Sequence, residues 1–133
     1  MKTDLRATLV ALAAVTAAGA AAAQPHHGGS NDTSCFYINQ WNGWSAPNDR
    51  TLYLGVNYRD IYEVQLADSS PFLQNPEAHI VSDTRGPNTV CNPVDLQLAI
   101  DEPHGLHRRL IAKSLVKLTP EQVKAIPRKY RPF

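Results

Sequence analysis

The sequence lacks the short motifs by which the commonest enzyme classes are identified. It has no Gly-x-Ser-x-Gly nucleophile elbow, no glycine-rich loop of the phosphate-binding kind and no internal repeats. It also has little cysteine, with two residues of this type among 133. Chemistry that depends on a recognisable nucleophile elbow or phosphate loop is therefore excluded. We predict no catalytic residue and no cofactor.

Long apolar runs are equally scarce, and the one that exists stands at the amino terminus. Lys2 and Arg6 precede an alanine-rich stretch, and small residues at 21–23 suit a signal peptidase. A membrane-spanning helix needs about 20 strongly apolar residues, whereas this stretch is mostly Ala, Thr and Gly. We predict a signal peptide over 1–23 that is cleaved after Ala23, a periplasmic or secreted protein, and no membrane span.

Acidic and basic residues are concentrated in different parts of the chain. From Asp32 to Glu102 ten acidic residues face three arginines, whereas from Pro103 to Phe133 eight basic residues face Glu121 alone. We expect the basic segment to fold back on the acidic body, the alternative being a basic surface for an anionic partner. Nucleic acid is not expected as a partner, because the protein is predicted to be exported and its basic segment lacks interleaved aromatic residues.

The two cysteines, Cys35 and Cys91, have two interpretations. Export to an oxidising compartment favours a disulfide between them. The alternative is a free nucleophilic thiol served by a histidine. We predict the disulfide.

Alternation of apolar and polar residues is the strongest pattern in the body of the chain. Residues 51–58 and 61–67 alternate, and only Arg59 and Asp60 separate them, which predicts an antiparallel hairpin. This pattern places Leu52, Leu54, Val56 and Tyr58, and then Tyr62, Val64 and Leu66, on the inner face. Further strands are predicted at 78–84, 94–100 and 108–118.

The run 108–118 also fits a helical face, but a new helix start follows it. Thr119 can cap, Pro120 suits the first helical position, and Gln122 completes a capping box, so a short helix should end before Pro127. We therefore predict a mainly β fold, with about five short antiparallel strands in a curled sheet or small partly open barrel and a short C-terminal helix. The alternative is an α+β fold in which 108–118 is helical.

The domain boundaries follow from these elements. Residues 24–33 are polar and glycine-rich and are predicted to be disordered. A single β-rich domain should span 34–127, and a basic tail should follow at 128–133. Such a domain is expected to be a monomer.

Both tryptophans lie in the stretch CFYINQWNGW, residues 35–44. Because Asn42 and Gly43 interrupt it, we predict a short helix or an irregular turn, on which Trp41 and Trp44 would share one side. Either both tryptophans are buried, or one of them lines a groove. They form the possible binding surface that the sequence offers.

The histidines raise the possibility of a metal site in DEPHGLH, residues 101–107. Asp101, Glu102, His104 and His107 stand close together, and imidazole and carboxylate are suitable zinc ligands. However, the proline and glycine within the stretch indicate a turn, so we interpret these four residues as solvated turn residues and predict no metal. His79 stands alone on a short predicted strand.

The ordered series CF…W, DRTLYL, SSPFL, VCNPVDLQL and L..LTPEQ resembles a family of small exported Gram-negative bacterial proteins known as a domain of unknown function. The resemblance covers about residues 34–127. Members of that family carry two further cysteines, at the places taken here by Ser70 and Leu110. The resemblance implies that those two cysteines pair with each other, which leaves Cys35 with Cys91. It implies no activity.

Two functions of different classes remain. The preferred hypothesis is a non-catalytic exported domain that binds an envelope protein or a small ligand. The alternative is a small periplasmic enzyme that uses either a cysteine thiol or a metal held by residues 101–107.

Overall fold

In the computed structural model of the protein, residues 34–83, 86, 88–102 and 105–133 are described. The predicted signal peptide, the predicted disordered segment 24–33 and His104 lie outside these residues. Within them, no helix combines the length and the apolar character that crossing a membrane requires.

The described residues form a mainly β fold, as predicted. They contain nine strands and one α-helix, which are β1 (Phe36–Tyr37), β2 (Trp41–Ser45), β3 (Thr51–Val56), β4 (Asp60–Leu66), β5 (His79–Ser82), β6 (Thr89–Val90), β7 (Leu98–Glu102), β8 (Leu106–Leu110), β9 (Ala112–Lys117) and α1 (Pro120–Ala125). The strands form three antiparallel sheets in the orders β1-β6, β2-β3-β4-β9 and β5-β7-β8. The described strands form three small open sheets rather than the one curled sheet or small partly open barrel that the sequence predicted. There are also more strands than the five predicted, because several of them are only two to five residues long.

The predicted hairpin is β3–β4, but its turn begins two residues earlier than predicted and ends one residue earlier. Asp60 is already in β4, opposite Val56, and the turn comprises Asn57, Tyr58 and Arg59. Asn57 and Tyr58 have φ values of 54° and 55°, a conformation that asparagine tolerates better than most residues. Tyr58 therefore leaves the inner face and is 72% exposed.

The other predicted strands are present with different bounds. The strand predicted at 94–100 begins only at Leu98, because Pro93 starts a 3-10 turn over Pro93–Asp95 and carries Val94 out to solvent. The run 108–118 is extended rather than helical, so the α+β alternative is wrong. It forms two strands, β8 and β9, with a break at Ile111.

One apolar core lies behind the three sheets. Tyr62, Val64 and Leu66 are buried as their alternation predicts. The core cluster takes residues from each sheet and from the turns between them: Phe36, Leu52, Leu54, Val56, Tyr62, Val64, Leu66, Leu73, Ala78, Ile80, Val90, Leu96, Leu98, Ile100 and Leu110. Such a core contributes most of the favourable free energy of folding.

The short helix α1 is capped as predicted. The Thr119 hydroxyl accepts a hydrogen bond from the Gln122 backbone N–H at 3.3 Å, and the Gln122 side chain accepts from the Thr119 N–H at 2.8 Å. The helix ends at Ala125, and a 3-10 turn at Arg128–Tyr130 follows.

The final residues of the chain pack on the outer face of the four-stranded sheet. Gly43 and Gly55 are paired neighbours on β2 and β3. A Cβ at Gly43 would lie 2.6 Å from the backbone oxygen of Pro132, and one at Gly55 would lie 2.6 Å from ring carbons of Phe133. The Ser45 hydroxyl also donates to the backbone carbonyl of Tyr130. The two glycines therefore form a shallow groove that the tail fills.

Candidate functional site

Cys35 and Cys91 form a disulfide, with their Cα atoms 4.3 Å apart. The bond joins the residue before β1 to the residue after β6, and these two strands pair only with each other in the described part of the chain. The sequence has no other cysteines, so both of its cysteines are in this disulfide. The disulfide therefore anchors the smallest sheet and leaves no thiol for nucleophilic chemistry.

Trp41 and Trp44 share one side, as predicted, but on a strand rather than a helix. Residues three apart on a regular strand face opposite ways. Here Asn42 is an extra residue between the pairs Trp41–Val56 and Gly43–Gly55, and such a bulge shifts the alternation by one. Both indoles therefore pack half-buried against the core. The Trp41 indole N–H donates to the Gly43 carbonyl at 2.7 Å. Neither tryptophan lines one of the clefts described below, so a binding role for their exposed parts stays a prediction.

The predicted turn at 101–107 is mostly strand, which separates the candidate metal ligands. Asp101 and Glu102 end β7, His107 lies on β8, and Gly105 has a positive φ of 76°. Consecutive strand residues face opposite sides. Accordingly, Asp101 contacts the His107 imidazole on one face, whereas Glu102 pairs with Arg108 at 2.8 Å.

The sheet also brings His79 into register with Asp101, so that His79, Asp101 and His107 form one row across β5, β7 and β8. The sequence alone did not predict this row, because His79 is far from Asp101 and His107 along the chain. Even so, no group of three or more His, Cys, Asp or Glu side chains in the described residues is arranged to hold a metal ion. His104 lies outside those residues.

One strand of the fold passes from one sheet to another. We call residues 106–117 the crossing strand. Its first half, β8, pairs with β7, and its second half, β9, pairs with β4. Ile111 lies at the crossing point, where its carbonyl accepts a hydrogen bond from the Ala67 N–H at 2.9 Å. In the described fold, each half is an edge strand of its sheet.

An apolar cleft opens on one side of the crossing point. Its volume is about 580 Å³, and its lining residues are Pro93, Val94, Leu96, Gln97, Arg109, Leu110, Ile111 and Ala112. Val94 is 80% exposed and Ile111 56% exposed. The cleft therefore presents exposed aliphatic surface to solvent. We call this feature the Ile111 cleft.

The wall of the Ile111 cleft is tied to the disulfide. The Asp95 carboxylate accepts hydrogen bonds from the backbone N–H groups of Asn92, at 2.8 Å, and Cys91, at 3.1 Å. These bonds hold the pKa of Asp95 below its ordinary value. An ionised Asp95 thus fixes the 3-10 turn that presents Val94.

A second, more polar cavity of about 260 Å³ lies on the other side of the crossing strand, lined by Asp68, Ser69, Ser70, Arg108, Arg109, Leu110 and Ile111. Ser70 is 2% exposed, and its hydroxyl has no hydrogen-bond partner among the described residues. Leu110 is also buried. The cavity therefore brings together the two positions at which the resemblance places a second cysteine pair.

A third cavity of about 230 Å³ lies between the outer face of the sheet and α1, where Tyr53 and Glu63 are among its lining residues. Burial, and secondarily the charge of Glu63, raise the pKa of the Tyr53 hydroxyl above its ordinary value. Glu63 accepts a hydrogen bond from the Gln65 amide at 2.8 Å. The Glu63 carboxylate is thus engaged by its neighbour on the same strand.

The basic charge of the crossing strand is only partly neutralised. Lys117 pairs with Asp60 at 2.9 Å, and Arg108 pairs with Glu102. Arg109 and Lys113 have no ion pair in the described part of the chain and are exposed. No acidic residue occurs between Glu102 and Glu121. The free edge beside the Ile111 cleft is therefore positively charged.

The sequence reasoning did not identify Val94, Ile111 or Arg109 as site residues. Alternation in 94–100 predicts a strand in which Val94 shares one face with Leu96, Leu98 and Ile100, and Ile111 is one apolar residue in a run with two interpretations. A usable signal was Pro93 directly before Val94, because proline favours the first position of a helical turn. The change of sheet at Ile111 has no local signature.

Comparison of the chain with models of known protein families, with curated proteins and with solved structures found no match.

Proposed function

We propose that this protein is a small, non-catalytic, exported domain that binds another component of the cell envelope through the face around the Ile111 cleft. The observation that carries this proposal is the pair of exposed aliphatic side chains, Val94 and Ile111, at the mouth of an apolar cleft. Burying such side chains against a partner removes apolar surface from water, which contributes about 25 cal/mol for each Å² before the entropic cost of association is subtracted. The cleft is framed by a disulfide-anchored turn and an edge strand, and it therefore presents a defined surface.

Export is part of the proposal. A disulfide as the anchor of a small sheet is suited to an oxidising compartment and unsuited to a reducing one. The same bond counts against the thiol-dependent enzyme, because both cysteines of the chain are in it. The separation of Asp101 and Glu102 onto opposite faces counts against the metal-dependent enzyme.

Site-specific photo-crosslinking in a bacterium that exports the full chain tests the proposal. A photoreactive amino acid replaces Ile111 in one variant and Arg59, in the distant β3–β4 turn, in the control. We expect a discrete crosslinked product from position 111 and none from position 59. The absence of any product from position 111, or identical products from both positions, would contradict the proposal.

A further inference from the structure

The outer edge of β9 has the geometry of a strand-addition site. β9 pairs with β4 along one side, from the pair Leu66–Ala112 to the pair Tyr62–Lys117. Along its other side, no described strand pairs with it. An edge strand presents a row of unpaired backbone N–H and C=O groups, to which an extended segment can add.

The Ile111 cleft lies at the beginning of this edge. Ala112, the first residue of β9, is also a lining residue of the cleft. Farther along the strand, Val116 is 53% exposed. An extended segment that follows β9 would therefore meet Val94 and Ile111 at one end and Val116 near the other.

The charge of the edge restricts the chemistry of the segment. Arg109 and Lys113 flank the cleft without ion pairs in the described residues, and Lys117 stands at the far end beside Asp60. Lysine on an edge strand discourages pairing with another basic edge, so a second copy of β9 is a poor occupant. Complementarity favours a segment that carries carboxylates between its apolar residues.

A bulge interrupts the edge of β9 near its start. Lys113 is the extra residue between the pairs Leu66–Ala112 and Gln65–Ser114. A bulge changes the direction of its side chain and increases the local twist. It thereby separates the apolar start of the edge, at the Ile111 cleft, from the remainder, and it places an exposed ammonium group between them.

We propose that the Ile111 cleft and the free edge of β9 together accept an extended acidic peptide as an additional strand of the sheet β2-β3-β4-β9. This inference rests on the proposed function and deepens it by naming the class of partner. Apolar side chains of the peptide contact Val94 and Ile111, and its carboxylates pair with Arg109 and Lys113. The peptide backbone forms hydrogen bonds with the outward-facing backbone groups of β9 that precede Lys117.

The test uses the isotope-labelled full-length mature protein and a synthetic peptide of five Val-Glu repeats with blocked ends. Two control peptides separate the effect of charge from that of backbone hydrogen bonding. Five Val-Lys repeats reverse the charge. An alternately N-methylated Val-Glu peptide keeps the charge but lacks the N–H groups needed to pair with β9. We expect the Val-Glu peptide alone to bind and to slow amide hydrogen exchange in Ala112–Lys117. We expect Ile111→Asp to weaken binding at least about tenfold. Lys129→Glu, an exposed charge reversal beside the opposite edge strand β2, should leave binding unchanged.

Three results would overturn strand addition. These are absence of binding by the Val-Glu peptide, equal binding by either control peptide, and chemical-shift changes that avoid β9. If crosslinks from position 111 persist while the peptide fails, the domain binds a partner by another mode, and only the strand-addition inference is lost. If both fail, the proposed function is lost as well.

Discussion

The contact between the C-terminal tail and the glycine groove predicts a mutation whose effect changes sign. Gly43→Ala places a Cβ 2.6 Å from the backbone oxygen of Pro132, closer than any van der Waals contact allows. Backbone cannot rotate away as a flexible side chain can, so the tail must shift or detach. Overpacking of this kind costs about 1–3 kcal/mol. The loss in the free energy of unfolding cannot exceed the free energy that tail docking contributes, because the tail can detach instead of tolerating the clash.

Removal of Pro132 and Phe133 should reverse the effect. Gly43 has no positive φ, and glycine within a strand is less stable than alanine by about 0.5–1 kcal/mol. In the shortened chain, Gly43→Ala should therefore stabilise the fold by about that amount. The difference between the two effects is an interaction energy of about 1.5–4 kcal/mol between position 43 and the tail.

Urea unfolding followed by tryptophan fluorescence measures all four members of this cycle. Gly86→Ala is the matched control, because a Cβ there would meet nothing within 4 Å; its effect should be the same with and without the tail. An equal effect of Gly43→Ala in both backgrounds would refute the assignment of the glycine groove as the tail's docking site.

Further predictions concern the disulfide, the turn beside it and the second cavity. Replacing Cys35 and Cys91 together by serine should lower the free energy of unfolding by up to about 4 kcal/mol from loop-closure entropy; a loss below about 1 kcal/mol in urea unfolding would contradict an anchoring role. Because hydrogen bonds lower the pKa of Asp95 in the folded state from an ordinary value of 3.8, its stabilisation is present above that pH and is lost as the pH falls through the folded pKa. Asp95→Asn should therefore lower the melting temperature at pH 7 and weaken its decline on acidification, and parallel melting curves for the two proteins would refute this. Ser70→Cys combined with Leu110→Cys should form a second disulfide under oxidising conditions, since both positions line one cavity; two titratable thiols in the oxidised, denatured variant would contradict it.

The strands were predictable where local pattern and tertiary packing agree. Alternation identified β3 and β4, and the capping box identified α1, because these signals act over a few residues. The disulfide followed from cysteine count and predicted export. These elements require no knowledge of distant partners.

The bulges were not predictable, because they are set by the strands opposite. The extra residue Asn42 places Trp41 and Trp44 on the same side of β2. The prediction that they share a side is therefore correct, although it was made for a helix and the segment is a strand. In β9, Lys113 is another extra residue, so the next side chain after Ala112 that packs against the core is Leu115 rather than Ser114. That shift is why 108–118 fits a helical face as well as a strand.

The candidate site was the least predictable part. Ile111 becomes a site residue only because β8 pairs on one side and β9 on the other, and both pairings are non-local. The tail contact is non-local in the same way: Gly43 and Pro132 are far apart in sequence and adjacent in the fold. Charge segregation did indicate a basic surface, but the sequence could not place it on an edge strand.

The central claim is that the edge of β9 accepts an extended acidic segment. The most direct measurement is the set of nuclear Overhauser contacts between backbone protons of Ala112–Lys117 and those of the bound Val-Glu peptide. Strand addition predicts a regular ladder of such contacts along β9, together with side-chain contacts at Val94 and Ile111. Contacts confined to side chains, with no backbone ladder along β9, would contradict the claim.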